Sequence, residues 1–153
     1  MSHPAQIAPD QLWPEMFGHD EITLSVVSLR TGDRKTFQVE RVPGKDGKPA
    51  PLMWWVRQLT GPDNRLSFTY LVTAYGQDGG YIRLGLTAKS PEAGWDHAAV
   101  KAFLWLFKGA DGQHGDLGRA EVWRACPCQR CGKLLTVPKS IKQGRGPYCV
   151  TQP

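Results

Sequence analysis

Residues 123–149 read WRACPCQRCGKLLTVPKSIKQGRGPYC and contain every cysteine of the 153-residue chain. The four are Cys126, Cys128, Cys131 and Cys149. Two cysteines that are separated by two residues and followed by a glycine are typical of a zinc knuckle. The glycine lets the chain turn back with positive φ and leaves backbone N–H groups free to bond to the sulfurs. The spacing therefore predicts a structural zinc site within this stretch.

The fourth ligand of that zinc stays open, because Cys128, Cys131 and Cys149 supply three of the four that a tetrahedral site needs. Cys126 is the nearest candidate. His114 is the alternative, since three cysteines and one histidine are equally good ligands, and water or a partner molecule is the third possibility. Disulfides or free thiols are the competing explanation. No signal peptide is visible, so a reducing compartment and a metal are favoured.

Residues 136–144 predict a short helix between the two halves of the metal site. Thr136 can cap a helix just ahead of Pro138, and Gly144 can end it in the left-handed conformation. The tail contains too little apolar surface to hold itself together. Metal binding is therefore expected to fold it.

The pattern C-x-x-C-G-[KR]-x-L-T-x-P-x-S-I-x-x-G-x-G-P-x-C resembles the C-terminal signature of small uncharacterised proteins of phages and prophages. The matching residues are Cys128, Cys131, Gly132, Lys133, Leu135, Thr136, Pro138, Ser140, Ile141, Gly144, Gly146, Pro147 and Cys149. The likeness continues in residues 59–64, 100–107 and 121–123, and Cys126 is an addition to the pattern. The resemblance implies a phage-associated origin, hence the cytoplasm of a bacterial host, and it implies no activity.

Positive charge is concentrated in the tail of this chain, whose formal net charge is +5. Residues 1–121 hold 13 basic and 14 acidic groups, a balance of −1, whereas residues 122–153 hold six basic and no acidic groups. The six are Arg124, Arg130, Lys133, Lys139, Lys142 and Arg145. Such a basic pole suits nucleic acid or an acidic protein surface. The competing explanation is that these charges keep the module soluble and offset the zinc–thiolate centre.

The chain divides by composition into an extended N-terminal arm over residues 1–19, a core domain over residues 20–121 and a basic cysteine-rich tail over residues 122–153. Alternating apolar residues predict hairpins over 20–42 and 66–86, a strand over 52–59 and a last strand over 119–124, and an apolar stripe predicts a helix over 96–108. The predicted fold class is α+β: a mainly antiparallel sheet of five or six strands, one packed helix and a C-terminal zinc knuckle.

Several local features of the core can also be predicted. The phase of alternation slips at Val26–Val27, which indicates either a bulge or a strand covered on both faces. Trp54 and Trp55 must point to opposite faces of a regular strand. Asp96 can cap the helix and Gly109 can end it.

Two functional hypotheses follow. In the first, the metal-ordered tail binds DNA or RNA: the six basic residues contact phosphates, and Trp123 or Tyr148 stacks on bases. In the second, the chain is a phage-encoded, anti-CRISPR-like inhibitor that binds a host nucleic-acid-processing complex. An enzyme is the least supported class, because no triad spacing, nucleotide loop or catalytic metal pattern is visible. No apolar run approaches the length of a membrane span.

Overall fold

The computed structural model describes residues 3–60, 67–77 and 79–151. The strands are β1 (Gln6–Ile7), β2 (Glu21–Ser28), β3 (Arg34–Arg41), β4 (Met53–Leu59), β5 (Phe68–Gly76), β6 (Ile82–Gly85), β7 (Ala120–Arg124), β8 (Cys126–Pro127) and β9 (Leu134–Leu135). The α-helices are α1 (Leu12–Phe17), α2 (Ala98–Ala110) and α3 (Pro138–Gln143). Residues 61–64 of the stretch 59–64, and residues 66 and 78 of the hairpin predicted over 66–86, lie outside the described residues.

Seven of the strands form one antiparallel sheet in the order β1-β7-β2-β3-β4-β5-β6. Strands β2 to β6 follow one another as hairpins, and β7 returns to pair with the free side of β2. The predicted α+β class with a mainly antiparallel sheet is confirmed. Within the described residues the main sheet has seven strands rather than five or six, because Gln6 and Ile7 pair with Trp123 and Val122 and add a strand beyond β7.

The N-terminal segment is folded against the core instead of forming the predicted extended arm. It contributes β1, a 3-10 turn and α1, and Leu12 and Met16 are fully buried. The ring centroids of Trp13 and Phe107 lie 5.4 Å apart, which brings α1 against α2. The apolar side chains of α1 recur at helical spacing, and burying them stabilises a short helix that the surrounding prolines concealed in the sequence. The proposed division of the chain at residues 19 and 121 stays a prediction.

One face of the sheet is covered by α2, where the ring centroids of Phe37 and Phe103 lie 5.4 Å apart. The helix begins after His97, whose Nδ1 accepts a hydrogen bond from the Ala99 N–H at 3.2 Å. His97 therefore holds the capping position predicted for Asp96, which lies in the preceding 3-10 turn. The predicted end at Gly109 is also wrong, since that glycine is buried within the last turn of the helix.

The opposite face of the sheet carries the C-terminal residues over β7 and β2. Ser25 of β2 pairs with Trp123 of β7, and both side chains are buried. Strand β2 is thus covered on both faces. This is one of the two explanations offered for the phase slip at Val26–Val27. Its pairing with β3 is regular from Glu21 to Val27, and the register shift falls between Val56 and Arg57 instead.

The two adjacent tryptophans of β4 lie on opposite faces, as predicted. Trp54 is 2% exposed and its ring packs near Phe17, whereas Trp55 is half-buried on the other face with the Arg57 guanidinium 5.3 Å from its ring centroid. Among the described residues, none of the helices combines the length and the apolar character needed to cross a membrane.

Candidate metal centre

Residues 125–151, which we call the cysteine module, begin as a two-stranded hairpin in which Cys126 pairs with Leu135. The turn beyond β8 presents Cys128 and Cys131. The Gly132 N–H donates to the Cys128 carbonyl at 2.9 Å, and the Cys128 N–H donates to the Lys133 carbonyl at 2.8 Å. Gly132 has φ of 76°, the positive value that the knuckle pattern predicts. This turn places the two sulfurs side by side.

The short helix α3 carries the chain back so that Cys149 reaches the same turn. It ends at Gly144, which has φ of 75° as predicted, and the Gly144 carbonyl accepts from the Gln129 N–H at 2.8 Å. The predicted cap is wrong. Val137 occupies the N-cap position, and the hydroxyl of Thr136 accepts a hydrogen bond from Arg34 of β3 instead.

The Sγ atoms of Cys128, Cys131 and Cys149 all lie within 4.8 Å of one another. Tetrahedral zinc with Zn–S bonds of about 2.3 Å sets its sulfurs about 3.8 Å apart, so small side-chain adjustments suffice to close this group on an ion. Cys128 and Cys149 are buried and Cys131 is exposed. These three cysteines can hold a metal ion, with one side of the group turned to solvent.

Backbone groups around the cysteines favour thiolate formation at Cys128. Hydrogen bonds from the backbone of Cys131, Gly146 and Arg130 outweigh burial and lower the pKa of Cys128 to about 6. At Cys149 the Arg130 guanidinium, 3.8 Å from the sulfur, lowers the pKa, but burial and the neighbouring Cys131 and Cys128 raise it above its usual range overall. A cysteine whose pKa is lowered at this position suits the capture of a cation, because the thiolate is the form that binds metal.

The structure places both predicted candidates for the fourth ligand outside this group. Cys126 lines a separate cavity of about 410 Å³ with His3 and Lys142, and burial, followed by the charge of Cys128, raises the pKa of its thiol. His114 lies beyond the end of α2. There its Nε2 donates to the Trp105 carbonyl at 2.8 Å and its Nδ1 accepts from a backbone N–H at 3.1 Å, which occupies both ring nitrogens.

A second apolar cluster joins the cysteine module to the sheet. Its buried members are Trp123, Cys128, Leu135, Ile141 and Cys149. Trp123 is 1% exposed, donates from Nε1 to Glu121 at 3.0 Å and has the Lys142 ammonium 5.1 Å from its ring centroid. It cannot stack on a base, contrary to the prediction. The sequence places Trp123 next to the basic tail. It does not show that the cysteine module folds over this side chain and buries it.

The six basic residues of the tail have different surroundings. Arg124 forms an ion pair with Glu15 of α1, and Lys142 lies over Trp123. Arg130 stands with its guanidinium 5.9 Å from the ring centroid of Tyr148, whose side chain is 71% exposed. Lys133 and Lys139 are exposed and Arg145 is half-buried. The structure thus brings Arg130 and Tyr148 together, while Arg124 is held against the core.

A groove of about 390 Å³, which we call the cysteine groove, opens directly beside the three cysteines. Its walls include the side chains of Arg130, Lys133, Leu134, Val137, Pro147 and Tyr148. Val137 is 43% exposed although it is apolar, and no motif in the sequence distinguishes it. Val137 lies two residues beyond the buried Leu135, so alternation would place it on the same buried side. The chain changes direction at the end of β9, and Val137 is exposed for that reason.

Residues 119–152 match a protein family described as a family of unknown function, DUF6011. This region contains β7, the cysteine module and the signature noted in the sequence. No curated protein and no solved structure matches the chain.

Proposed function

We propose that the cysteine module is a zinc-dependent nucleic-acid-binding element and that the chain is a small, non-catalytic phage-type protein acting in the bacterial cytoplasm. Zinc is the metal that best suits the site. Three converging thiolates select a thiophilic ion, and zinc is the usual choice in small structural modules outside redox chemistry. The ion would fix the knuckle and the turn at Cys149 in one arrangement. The groove walls depend on both segments, so metal binding would also form the binding surface.

The pairing of Arg130 with Tyr148 is the observation that carries the nucleic-acid proposal. A largely exposed aromatic ring with a guanidinium 5.9 Å from its centroid provides a stacking platform beside a phosphate contact. Lys133 lines the same groove, which places a second cation within reach of a neighbouring phosphate. Since a base must be unpaired to stack on a side chain, we expect single-stranded DNA or RNA to bind more tightly than a duplex.

The remaining tail charges support the same surface at longer range. Residues 122–153 contain no acidic residue that would repel a phosphate backbone. Three bound thiolates and one Zn²⁺ carry a net charge of −1. The positive charge of the six basic residues is larger, so the tail stays positive. Lys139 and Lys142 are exposed on α3 and would add a salt-dependent attraction without reading sequence.

Fluorescence anisotropy of the zinc-loaded chain with labelled single- and double-stranded DNA and RNA, at two salt concentrations, tests the proposal. Tyr148→Ala should raise the dissociation constant about tenfold, because a stacked base is worth about 1–3 kcal/mol. Tyr81→Ala is the matched control, since Tyr81 is 73% exposed and lies in the turn ahead of β6. Lys133→Glu should weaken binding and flatten its salt dependence, and Lys89→Glu should do neither.

Absence of any salt-sensitive complex at low ionic strength would contradict the nucleic-acid proposal. The inhibitor hypothesis would then lead, and a pulldown from host lysate with the wild-type chain and with Tyr148→Ala would be the next experiment. A partner lost with Tyr148→Ala and kept with Tyr81→Ala would assign the same groove to a host protein complex.

A further inference from the structure

We propose that the metal held by Cys128, Cys131 and Cys149 takes its fourth ligand from outside the chain: a thiolate that enters through the cysteine groove. This inference rests on the zinc centre of the proposed function but not on nucleic-acid binding. Zinc with three protein ligands and an open fourth position is the arrangement found where an exogenous ligand must reach the ion.

The burial of the three cysteines sets the direction of the open position. Cys128 and Cys149 are 3% and 4% exposed, whereas Cys131 is exposed. All three line the wall of the cysteine groove. An ion bound to them would therefore have the apolar cluster on one side and the groove on the other. A fourth ligand must approach from the groove.

Neither of the two side chains that the sequence put forward as the fourth ligand, Cys126 and His114, belongs to the group formed by the three cysteines in the described part of the chain. Cys126 borders a different cavity, whose walls include His3 and Lys142, and it packs against the cluster around Trp123. His114 uses both ring nitrogens in hydrogen bonds near the end of α2. Among the described residues, no further cysteine, histidine or carboxylate belongs to the group.

The groove walls indicate which chemistry would fill the position. A centre of three thiolates is soft and favours a fourth sulfur donor over a hard oxygen donor. Arg130 and Lys133 offset the charge of −2 that four thiolates and Zn²⁺ would carry. Leu134, Val137 and Pro147 offer apolar contact to the body of the ligand. An organic thiol meets all three conditions.

The binding step is an exchange of ligands without redox change. The thiol S–H bond breaks, its proton passes to the buffer, and a zinc–sulfur bond forms as the water in the fourth position leaves. The source of the thiolate is either a free small thiol or a cysteine side chain of a partner protein. The two share the same donor atom and can be separated by experiment.

Cobalt substitution of the full chain provides the test, because Co²⁺ occupies zinc sites and its near-ultraviolet charge-transfer absorption reports the number of bound thiolates. The protein is kept reduced with a phosphine, so that no thiol is added with the buffer. Benzyl mercaptan should increase the thiolate-to-cobalt charge-transfer absorption by about one third, as a fourth thiolate joins three. Benzyl alcohol, which differs only in its donor atom, should leave the spectrum unchanged.

Variants distinguish effects on thiol binding in the cysteine groove from effects on metal binding. Cys126→Ser should give the wild-type spectrum before and after the thiol is added. Val137→Asp should weaken thiol binding about tenfold while cobalt remains bound, because it introduces a negative charge into the apolar wall. Val150→Asp is the matched control, since Val150 is also 43% exposed and does not line the groove.

Two arms distinguish the sources of the thiolate. Saturation by glutathione at millimolar concentration assigns the fourth position to a free thiol. Tighter binding of a cysteine-containing peptide than of glutathione, and than of the same peptide with serine in place of cysteine, assigns it to a protein partner.

A four-thiolate spectrum before any thiol is added, reduced in Cys126→Ser, would overturn the proposal. Absence of cobalt binding would overturn both this inference and the zinc centre, whereas failure of nucleic-acid binding alone would leave these spectra unchanged.

Discussion

The guanidinium of Arg34 donates a hydrogen bond from Nη1 to the hydroxyl of Thr136 at 2.8 Å, between residues that are 102 positions apart. Arg34 begins β3 and Thr136 lies between β9 and α3. Thr136 is 3% exposed, so its hydroxyl is otherwise shielded from water. This contact and the cluster around Trp123 fix the orientation of the cysteine module on the sheet.

We expect Thr136→Val to lower the free energy of unfolding by about 1–2 kcal/mol, because it removes a charge-assisted hydrogen bond from a buried position without a large change in volume. Urea denaturation of the zinc-loaded protein measures the effect. Hydrogen exchange should show that the loss of protection is greatest in residues 125–151. Thr69→Val is the matched control at an exposed position on β5. Equal destabilisation by the two variants would contradict the role assigned to Thr136.

The ion pair between Glu15 and Arg124 predicts a dependence of stability on pH. Burial raises the pKa of Glu15, but hydrogen bonds from Arg124 and His19 outweigh it and lower the pKa below its ordinary value of 4.5. A lowered folded-state pKa contributes stability that is complete above pH 4.5 and is lost as pH falls through the folded-state value. Because Arg124 is 39% exposed, the contribution should stay below about 1 kcal/mol.

Glu15→Gln should therefore be less stable than the wild type at pH 7 and equally stable once pH has fallen through the folded-state pKa. Thermal denaturation over a pH series measures the convergence. Glu92→Gln, at an exposed position, should follow the wild-type curve throughout. A constant difference between Glu15→Gln and the wild type at every pH would show that the variant changes packing rather than ionisation.

Local chemistry explains why much of the site was predictable from sequence. The turn after Cys128 requires a positive φ, and the end of α3 requires a left-handed residue, so glycine at 132 and 144 marked both bends. The phase slip at Val26–Val27 left two explanations open, a bulge or a strand covered on both faces, and the second is the one observed. Each of these features depends on residues within a few positions of one another.

The features that escaped prediction depend on contacts between distant segments. Strand β1 is two residues long, and only its pairing with β7 reveals it. Trp123 occupies a position whose burial depends on a module that folds over it later in the chain. Thr136 had the character of a helix cap, but Arg34 competes for its hydroxyl. Hydrophobic pattern and helix propensity are local properties of the sequence. They therefore do not report a contact between residues as distant as Arg34 and Thr136.

Metal removal should unfold the cysteine module and leave the sheet intact. Helix α3 has six residues, too few to persist alone in water, and Cys128 and Cys149, which can hold a metal ion, also belong to the buried cluster around Trp123. Chelation should therefore abolish hydrogen-exchange protection in residues 126–149 and preserve it in β2 to β5. Cys131→Ser should resemble the chelated wild type even with zinc present, whereas Cys126→Ser should resemble the zinc-loaded protein. Protection retained in the module after complete chelation would show that its apolar contacts suffice without metal.

Gly144→Ala should weaken the module through the backbone. Gly144 has φ of 75°, and a Cβ built there would lie 2.8 Å from the side chain of Gln129. An L-residue in the left-handed region costs about 1 kcal/mol or more, and the contact with Gln129 adds to that cost unless the side chain moves. We therefore expect zinc affinity to fall at least fivefold, because metal binding is coupled to folding of the tail.

The measurement is competition for zinc with a chromophoric chelator, comparing Gly144→Ala with Gly118→Ala. Gly118 lacks positive φ and has open space where a Cβ would stand, so its variant should bind zinc like the wild type. The double variant Gly144→Ala with Gln129→Ala should recover the part of the loss that is due to the side-chain contact and retain the part that is due to φ. Full recovery would assign the loss to crowding alone, and wild-type affinity in Gly144→Ala would show that the end of α3 does not position Cys149.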